Sequence, residues 1–150
     1  MSDIIHGDIK PDNVLVFPRD NDGAAFVAKI TDFGASCFGC AEDSFVTLGF
    51  TEQWKAPEIR QAGQQFSLEE AKKTDIFSYG KLCQSMLPSD ISQCSPILRL
   101  FFERSCNDTV ADRVSIGELL DVLTALISQY RKTTEGYVDE HCVGSSMFLR

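Results

Sequence analysis

Two short runs of β-branched and aromatic residues lie near the start of the chain, at positions 14–17 and 26–31. The residues between them are rich in turn formers. They include Asp22-Gly23, a pair typical of tight hairpin turns because glycine adopts a positive φ without strain. The pattern therefore predicts a two-stranded antiparallel hairpin.

Hydrophobic periodicity is then lost over residues 35–55, which are predicted to form one long loop. Loops of this length are uncommon inside compact domains and usually have a function.

Helical periodicity follows this loop. A helix capped by Thr74 or Asp75 would be apolar on nearly all sides, which indicates burial. Ser95-Pro96 is a typical helix start and predicts a second helix over residues 97–106.

A third helix is predicted after Ser115, because Ser115 and Glu118 have the spacing of a capping box. Its apolar stripe comprises Ile116, Leu119, Leu120, Leu123, Leu126 and Ile127. Residues 131–150 lose this period and are predicted to be a peripheral or disordered tail. The pattern as a whole predicts one mainly α domain that contains a small β-hairpin.

Composition narrows the range of partners. The net charge is −8, with 43% hydrophobic and 24% charged residues, as in an ordinary globular protein with a solvated acidic surface. This charge argues against nonspecific binding to nucleic acid or to an anionic membrane, because both require clustered Lys and Arg. No apolar run reaches the roughly 18 residues that a membrane span requires.

The first residues lack the basic and apolar segments of a secretory signal, so we expect an intracellular, cytoplasmic location. The six cysteines are accordingly interpreted as reduced thiols rather than as a disulfide framework. Cys37 and Cys40 form a C-x-x-C pair, but a zinc site would need two more ligands at suitable spacing. We therefore interpret this pair as free thiols, and the sequence leaves open whether they are redox-sensitive.

Three short motifs follow one another in a fixed order. The first, residues 6–13, contains Asp8, Lys10 and Asn13; the second, residues 32–34, is Asp-Phe-Gly; and the third, residues 56–58, is Ala-Pro-Glu. Any one of these residues could be an ordinary turn residue or a solvated charge, and an unrelated helical protein could contain one motif by chance. Their order along a hairpin, a long loop and helices makes coincidence a poor explanation.

The residue types suit phosphoryl transfer, in which positioning and the placement of cations provide most of the rate. Asn13 and Asp32 offer the hard oxygen ligands that Mg²⁺ prefers. Asp8 can accept or orient the proton of a substrate hydroxyl, and Lys10 can neutralise charge on the transferred phosphate.

Residues 2–130 resemble the C-terminal lobe of a eukaryotic protein kinase, a helical bundle with a small β-hairpin. The resemblance assigns residues 6–13 to the catalytic loop and 32–58 to the activation segment, which begins with the D-F-G motif at 32–34. It implies ATP and Mg²⁺ as cofactors and a protein substrate. In its terms Asp8 is the catalytic base, Lys10 contacts phosphate, Asn13 and Asp32 bind the metal, and Leu15 lies under the adenine ring. Simple core packing is the alternative for Leu15.

Lys10 and Thr51 resemble the Ser/Thr type of kinase, in which such a threonine bonds the catalytic Asp and Lys. The resemblance also implies structural roles: Glu58 pairs with Arg113, and Asp75 holds the backbone of the catalytic loop.

Two features depart from the family pattern. Gly7 occupies the place of an arginine that receives the activation-loop phosphate in the family, so regulation through phosphorylation of Ser44, Thr47 or Thr51 would lack its usual anchor. The 150 residues also contain no Gly-rich loop, no strand lysine and no partner Glu, all of which belong to the N-terminal lobe. We therefore expect the isolated chain to be a poor enzyme without an N-lobe or a partner chain. The alternative is a natural half-kinase that acts as a non-catalytic binding or scaffold module.

Overall fold

The three-dimensional description rests on a computed structural model, which describes residues 4–18, 26–38, 44–87 and 95–128. The chain divides into two units, residues 1–115 and 116–150. The strands are β1 (Ile4–Ile5), β2 (Val14–Pro18), β3 (Phe26–Ile30), β4 (Cys37–Phe38), β5 (Ser44–Val46) and β6 (Gln65–Ser67). The helices are α1 (Leu68–Ser85), α2 (Pro96–Ser105) and α3 (116–128). In the described residues, helices therefore cover more of the chain than strands do.

The predicted hairpin is present as the antiparallel pair β2–β3, in which Val14 lies opposite Ile30. Pro18, expected in the turn, is instead the last residue of β2. The Asp22-Gly23 pair lies outside the described residues. Much of the apolar surface of the hairpin is uncovered: Val16 is 62% exposed and Phe26 is 64% exposed.

The prediction of one long loop over residues 35–55 was wrong, because this stretch contains β4 and β5. β4 pairs with β1, and β5 pairs with β6, each in antiparallel register. Both partners are distant in the sequence, so no local hydrophobic pattern could have indicated the pairing. These short strands form only because the tertiary structure places a hydrogen-bonding partner strand beside each of them.

The predicted start of α1 at Thr74 or Asp75 was also wrong, because the helix begins at Leu68. Ser67 is its N-cap and forms a capping box with Glu70: the Ser67 hydroxyl accepts from the Glu70 amide, and the Glu70 carboxylate accepts from the Ser67 amide at 2.9 Å. The Ser-x-x-Glu signal was therefore present in the sequence. Thr74 instead donates its hydroxyl to the carbonyl of Ala71, within the helix.

The core of the first unit lies where α1 meets the small sheets. Its buried residues are Ile5, Phe45, Ala56, Ile59, Phe66, Ala71 and Phe77. α1 also packs closely on α2: a Cβ added to Gly80 would lie 2.6 Å from the Cβ of Ser105, so only glycine permits this approach. Seven positions of α1 from Thr74 onward are buried, as predicted, but the burial ends at Cys83, and Met86 is 67% exposed.

α2 begins at Pro96 with Ser95 as its N-cap residue, as predicted, although the Ser95 side chain makes no capping hydrogen bond. In the second unit, α3 begins directly after Ser115, also as predicted. Ile116, Leu120 and Ile127 of its apolar stripe remain about half exposed. The predicted tail lies outside the described residues. No helix among the described residues combines the length and the apolar character needed to cross a bilayer.

Candidate active site

The segment that carries Asp8 is fixed by a carboxylate from α1. Asp75 accepts hydrogen bonds from the amides of His6 at 2.7 Å and Gly7 at 3.0 Å. Burial raises the pKa of Asp75, and the two amide donors act against this rise. Gly7 has φ of 81°, and a Cβ there would lie 2.7 Å from the carbonyl oxygen of Ala35. Glycine is therefore required at position 7 in this conformation.

His6 connects this segment to the Asp-Phe-Gly motif. Its Nδ1 accepts the amide hydrogen of Asp8 at 3.3 Å, so its Nε2 carries the hydrogen and donates to the carbonyl of Thr31 at 3.1 Å. The imidazole also packs against Phe33, with ring centroids 5.0 Å apart. No pattern in the sequence predicts that His6 contacts the Asp-Phe-Gly motif, because Thr31 lies 25 positions away.

Asp8, Lys10 and Thr51 meet in one cluster, although Thr51 is distant in the sequence. The Lys10 ammonium donates to Asp8 Oδ2 at 2.6 Å and to Thr51 Oγ1 at 2.8 Å. The side chains of Lys10 and Asp8 are only 20% and 15% exposed. Among the described residues, Asp8 Oδ1 is buried without a hydrogen-bond partner. One carboxylate oxygen is thus bound by a cation, while the other is buried and has no hydrogen-bond partner among the described residues.

The electrostatics of the cluster keep Asp8 ionised. Burial raises the pKa of Asp8, but the hydrogen bond and the charge of Lys10, together with the neighbouring Thr51, outweigh it and hold the pKa below the ordinary 3.8. The hydrogen bond to Asp8 likewise raises the pKa of Lys10, against its partial burial and with help from the charges of Asp8, Asp12 and Asp32. At neutral pH the pair is therefore a carboxylate and an ammonium.

Asn13 precedes β2 and Asp32 follows β3, so both residues lie at the open end of the hairpin. Asn13, at the end of a 3-10 turn, donates its side-chain amide to the carbonyl of Asp8 at 2.9 Å, and its own carbonyl accepts from the Thr31 amide at 2.9 Å. Asp32 has a left-handed backbone, with φ of 61°, and accepts from the Gly34 amide at 3.2 Å. Its influence on the pKa of Lys10 shows that its charge acts on the same cluster.

These residues fit a magnesium ion that is shared with phosphate. Mg²⁺ is usually held by one or two side-chain oxygens, with the remaining positions filled by phosphate and water. Asn13 and the exposed carboxylate of Asp32 can supply those side-chain oxygens. The described residues contain no cluster of three His, Cys, Asp or Glu side chains that would hold a metal by itself. Cys37, part of the C-x-x-C pair, donates its thiol to the carbonyl of Val46, while Cys40 lies outside the described residues.

Leu15 is 47% exposed on β2, so it lies outside the core that the described residues form. Its exposure on the hairpin leaves it free to contact a ligand. A separate surface cleft of about 520 Å³ lies near Glu58, Arg60, Gln64 and Phe66 rather than at Asp8. We assign it no part in the chemistry, because its lining residues do not include the cluster.

Glu58 and Arg113 form the pair that the resemblance implied. The two guanidinium nitrogens donate to the two carboxylate oxygens at 2.6 and 2.7 Å, and the Arg113 side chain is completely buried. Arg113 also donates to the carbonyls of Asn107 and Lys73. The end of the activation segment is therefore attached to the residues that precede α3.

Comparison with known proteins finds serine/threonine-protein kinases. A probable serine/threonine-protein kinase of Dictyostelium discoideum is 28% identical over 87% of this chain but only 9% of its own length. The kinase pakB of the same organism is 36% identical over 65% of the chain and 10% of its own length. The ovarian-specific kinase Lok of Drosophila melanogaster is 38% identical over 51% of the chain and 15% of its own length. The chain thus spans a small fraction of each relative.

The family comparison agrees with the geometry. The family model described as "Protein kinase domain" matches residues 1–95, which include Asp8, Lys10, Asn13, Asp32 and Thr51. This is more than half of the chain, and all of the clustered side chains lie within it. The chain belongs to the protein kinase domain family.

Proposed function

We propose that these residues form the C-terminal-lobe part of a Ser/Thr protein kinase, which transfers the γ-phosphoryl group of ATP to a hydroxyl of a protein substrate. The observation that carries the proposal is the geometry at Asp8: Oδ2 is bound to Lys10, and Oδ1 is buried without a partner among the described residues. A buried carboxylate oxygen without a donor is destabilising unless a ligand supplies one.

In this proposal a substrate hydroxyl donates its hydrogen to Asp8 Oδ1, which orients the hydroxyl oxygen for attack on the phosphoryl group. The Lys10 ammonium lies beside the Asp8 carboxylate and neutralises the negative charge that develops on the transferred phosphate. Asn13 and Asp32 would hold Mg²⁺, which supplies charge neutralisation on the phosphates of ATP. Leu15 would contact the adenine ring.

The Ser/Thr type is supported by the contact between Lys10 and Thr51 and by the similarity to serine/threonine-protein kinases. We expect a nucleotide-binding lobe, from the same polypeptide or a partner chain, to cover the exposed apolar residues of β2 and β3. A cytoplasmic location, and the lack of nucleic-acid or membrane partners, remain predictions from the sequence.

A non-catalytic binding or scaffold module is the second candidate. The observation in its favour is the uncovered apolar surface of the hairpin, of the kind that marks interaction sites. The cluster of Asp8, Lys10 and Thr51 counts against it, because a surface used only for binding has no need of a buried, unpaired carboxylate oxygen.

The decisive experiment uses the polypeptide as its native cells make it, tagged at the C-terminus, with Mg²⁺, γ-labelled ATP and protein acceptors. We expect label on Ser or Thr, and a loss of at least about a hundredfold in Asp8→Asn. Asp12→Asn is the matched control, since Asp12 is an exposed carboxylate of the same loop. We expect negligible transfer by the 150 residues alone, because phosphoryl transfer depends on positioning by both lobes.

The outcomes separate the two candidates. Equal activity of Asp8→Asn and the unsubstituted polypeptide would refute the assignment of Asp8. Absence of any transfer by the native polypeptide, together with retained binding of a partner protein, would establish the scaffold function instead.

A further inference from the structure

The side chain of Thr47 joins two segments that are distant in sequence. Its hydroxyl lies 3.1 Å from the carbonyl oxygen of Gln61 and 3.4 Å from that of Gln64, and it accepts the Gln64 amide hydrogen at 3.1 Å. Backbone bonds run beside it: the Thr47 amide donates to Gln64 at 3.0 Å, and the Gly63 amide donates to the Thr47 carbonyl at 2.7 Å. Thr47 therefore continues the β5–β6 ladder by one further connection.

These bonds close residues 47–64 into a loop whose ends lie 17 positions apart in sequence. The loop contains Thr51, which binds Lys10, and Glu58, which binds Arg113. Gln64 also fixes the loop from within, because its side-chain amide donates to the carbonyl of Glu58 at 3.0 Å. The position of Thr51 is thus determined from both sides, by β5 and Thr47 before it and by Glu58 after it.

The same contacts explain how the loop 47–64 can be ordered without phosphorylation of Thr47. The hydroxyl of Thr47 meets two carbonyl oxygens, which would repel a phosphate ester, and an esterified oxygen has no hydrogen to donate. Position 7 is a glycine that the contact with Ala35 requires, so no cation can be presented from there. Buried Phe45 and Phe66, opposite each other on β5 and β6, add apolar contact to the ladder.

We propose that Thr47 is a positioning residue whose unmodified hydroxyl closes the loop 47–64 and so places Thr51 against Lys10 without phosphorylation. The inference rests on the proposed function for its effect on rate, but its geometric part does not. Order in the loop 47–64 comes from strand pairing and one hydroxyl, both of which are present as soon as the chain folds.

The test compares Thr47→Val, which keeps the shape and removes the hydroxyl, with Thr47→Ser, which keeps the hydroxyl. Thr109→Val is the matched control, because Thr109 is exposed and its side chain makes no capping bond. Hydrogen exchange of the Gly63 and Gln64 amides is measured in the native polypeptide. We expect exchange to be about tenfold faster in Thr47→Val and close to unsubstituted in the other two variants.

Kinetics of the native polypeptide supply the second readout. In Thr47→Val we expect kcat to fall at least about tenfold with KM for ATP little changed, since misplacement of a group near the reacting atoms affects the chemical step. We expect Thr47→Ser to restore kcat and the active protein to carry unmodified Thr47 by mass spectrometry. Unchanged exchange in Thr47→Val, unchanged kcat despite faster exchange, or failure of Thr47→Ser to rescue would each overturn the inference.

The two proposals can fail separately. Hydrogen exchange reports the closure by Thr47 even if the polypeptide transfers no phosphate, whereas loss of activity in Asp8→Asn supports the function whatever the exchange shows.

Discussion

At the scale of single residues, the chemistry of the site depends on how Lys10 balances the burial of Asp8. Burial alone would raise the pKa of Asp8 and so make it a weaker acid. The ammonium 2.6 Å from Oδ2 reverses this and keeps the carboxylate charged. The residue types predicted which groups would act, but only the distances show that one oxygen of Asp8 is bound to Lys10 and that the other has no hydrogen-bond partner among the described residues.

This balance can be measured by titration of the Asp8 carboxyl carbon by NMR. We expect a pKa below 3.8 in the unsubstituted chain and a higher pKa in Lys10→Met, because burial then acts with less opposition. A depressed pKa means that Asp8 stabilises the fold above pH 3.8 and loses this contribution as pH falls through its folded pKa. Lys29→Met, which removes a cation from β3, should leave the titration unchanged. A shift of equal size in both variants would contradict the role of Lys10.

At the scale of elements, the small strands and the start of α1 show how local and distant signals differ. The β5–β6 pair leads directly into α1, since Ser67 is both the last residue of β6 and the N-cap of the helix. The capping box is a local signal that could be read from Ser67 and Glu70. The strand itself is too short to form without β5 and without the burial of Phe66.

The capping box gives a test at this scale. We expect Ser67→Ala to lower the free energy of unfolding by about 1 kcal/mol, because the Glu70 amide of the first turn loses its acceptor and the Glu70 carboxylate loses the hydroxyl that donates to it. It should also return the pKa of Glu70, which the Ser67 hydroxyl holds below 4.5, towards that ordinary value. Ser95→Ala at the start of α2 is the matched control, since Ser95 makes no capping bond. Equal losses in urea unfolding of the two variants would show that the bonds of the box contribute nothing.

At the scale of the first unit as a whole, one buried ion pair connects distant parts of the chain. Arg113 and Glu58 are 55 positions apart, and the guanidinium also reaches the carbonyl of Lys73 in α1. Burial of a charge is tolerated only when its partners are complete, and here the carboxylate and several carbonyls complete them. The pair therefore holds the activation segment, α1 and the segment before α3 in one arrangement.

We expect Arg113→Met to lower the free energy of unfolding by about 3–5 kcal/mol, since Glu58 is left without its cation in a largely buried place. The control is Arg99→Met, which removes an exposed pair with Glu103 at 3.7 Å on α2. That change should have an effect of about 0.5 kcal/mol or less. Urea unfolding monitored by circular dichroism measures both, and similar effects would contradict the role of the buried pair.

The sequence by itself determined the elements and the chemistry that depend on local pattern. Runs of β-branched and aromatic residues with turn formers between them predicted the β2–β3 hairpin, and cap residues predicted the starts of α2 and α3. The order of the motifs predicted one candidate site that contains Asp8, Lys10, Asn13 and Asp32, because the order and spacing of motifs can be read directly from the sequence.

The tertiary structure alone decided the features that depend on contacts between distant segments. It placed β4 and β5 within a stretch that has no periodicity, and it connected Thr47 to Gln64 and Asp75 to the amides of His6 and Gly7. Hydrogen bonds between segments leave no period in either partner, so no reading of one segment can reveal them. The lack of a partner at Asp8 Oδ1 is also decided by the tertiary structure, because the surroundings of this oxygen exist only after the chain has folded.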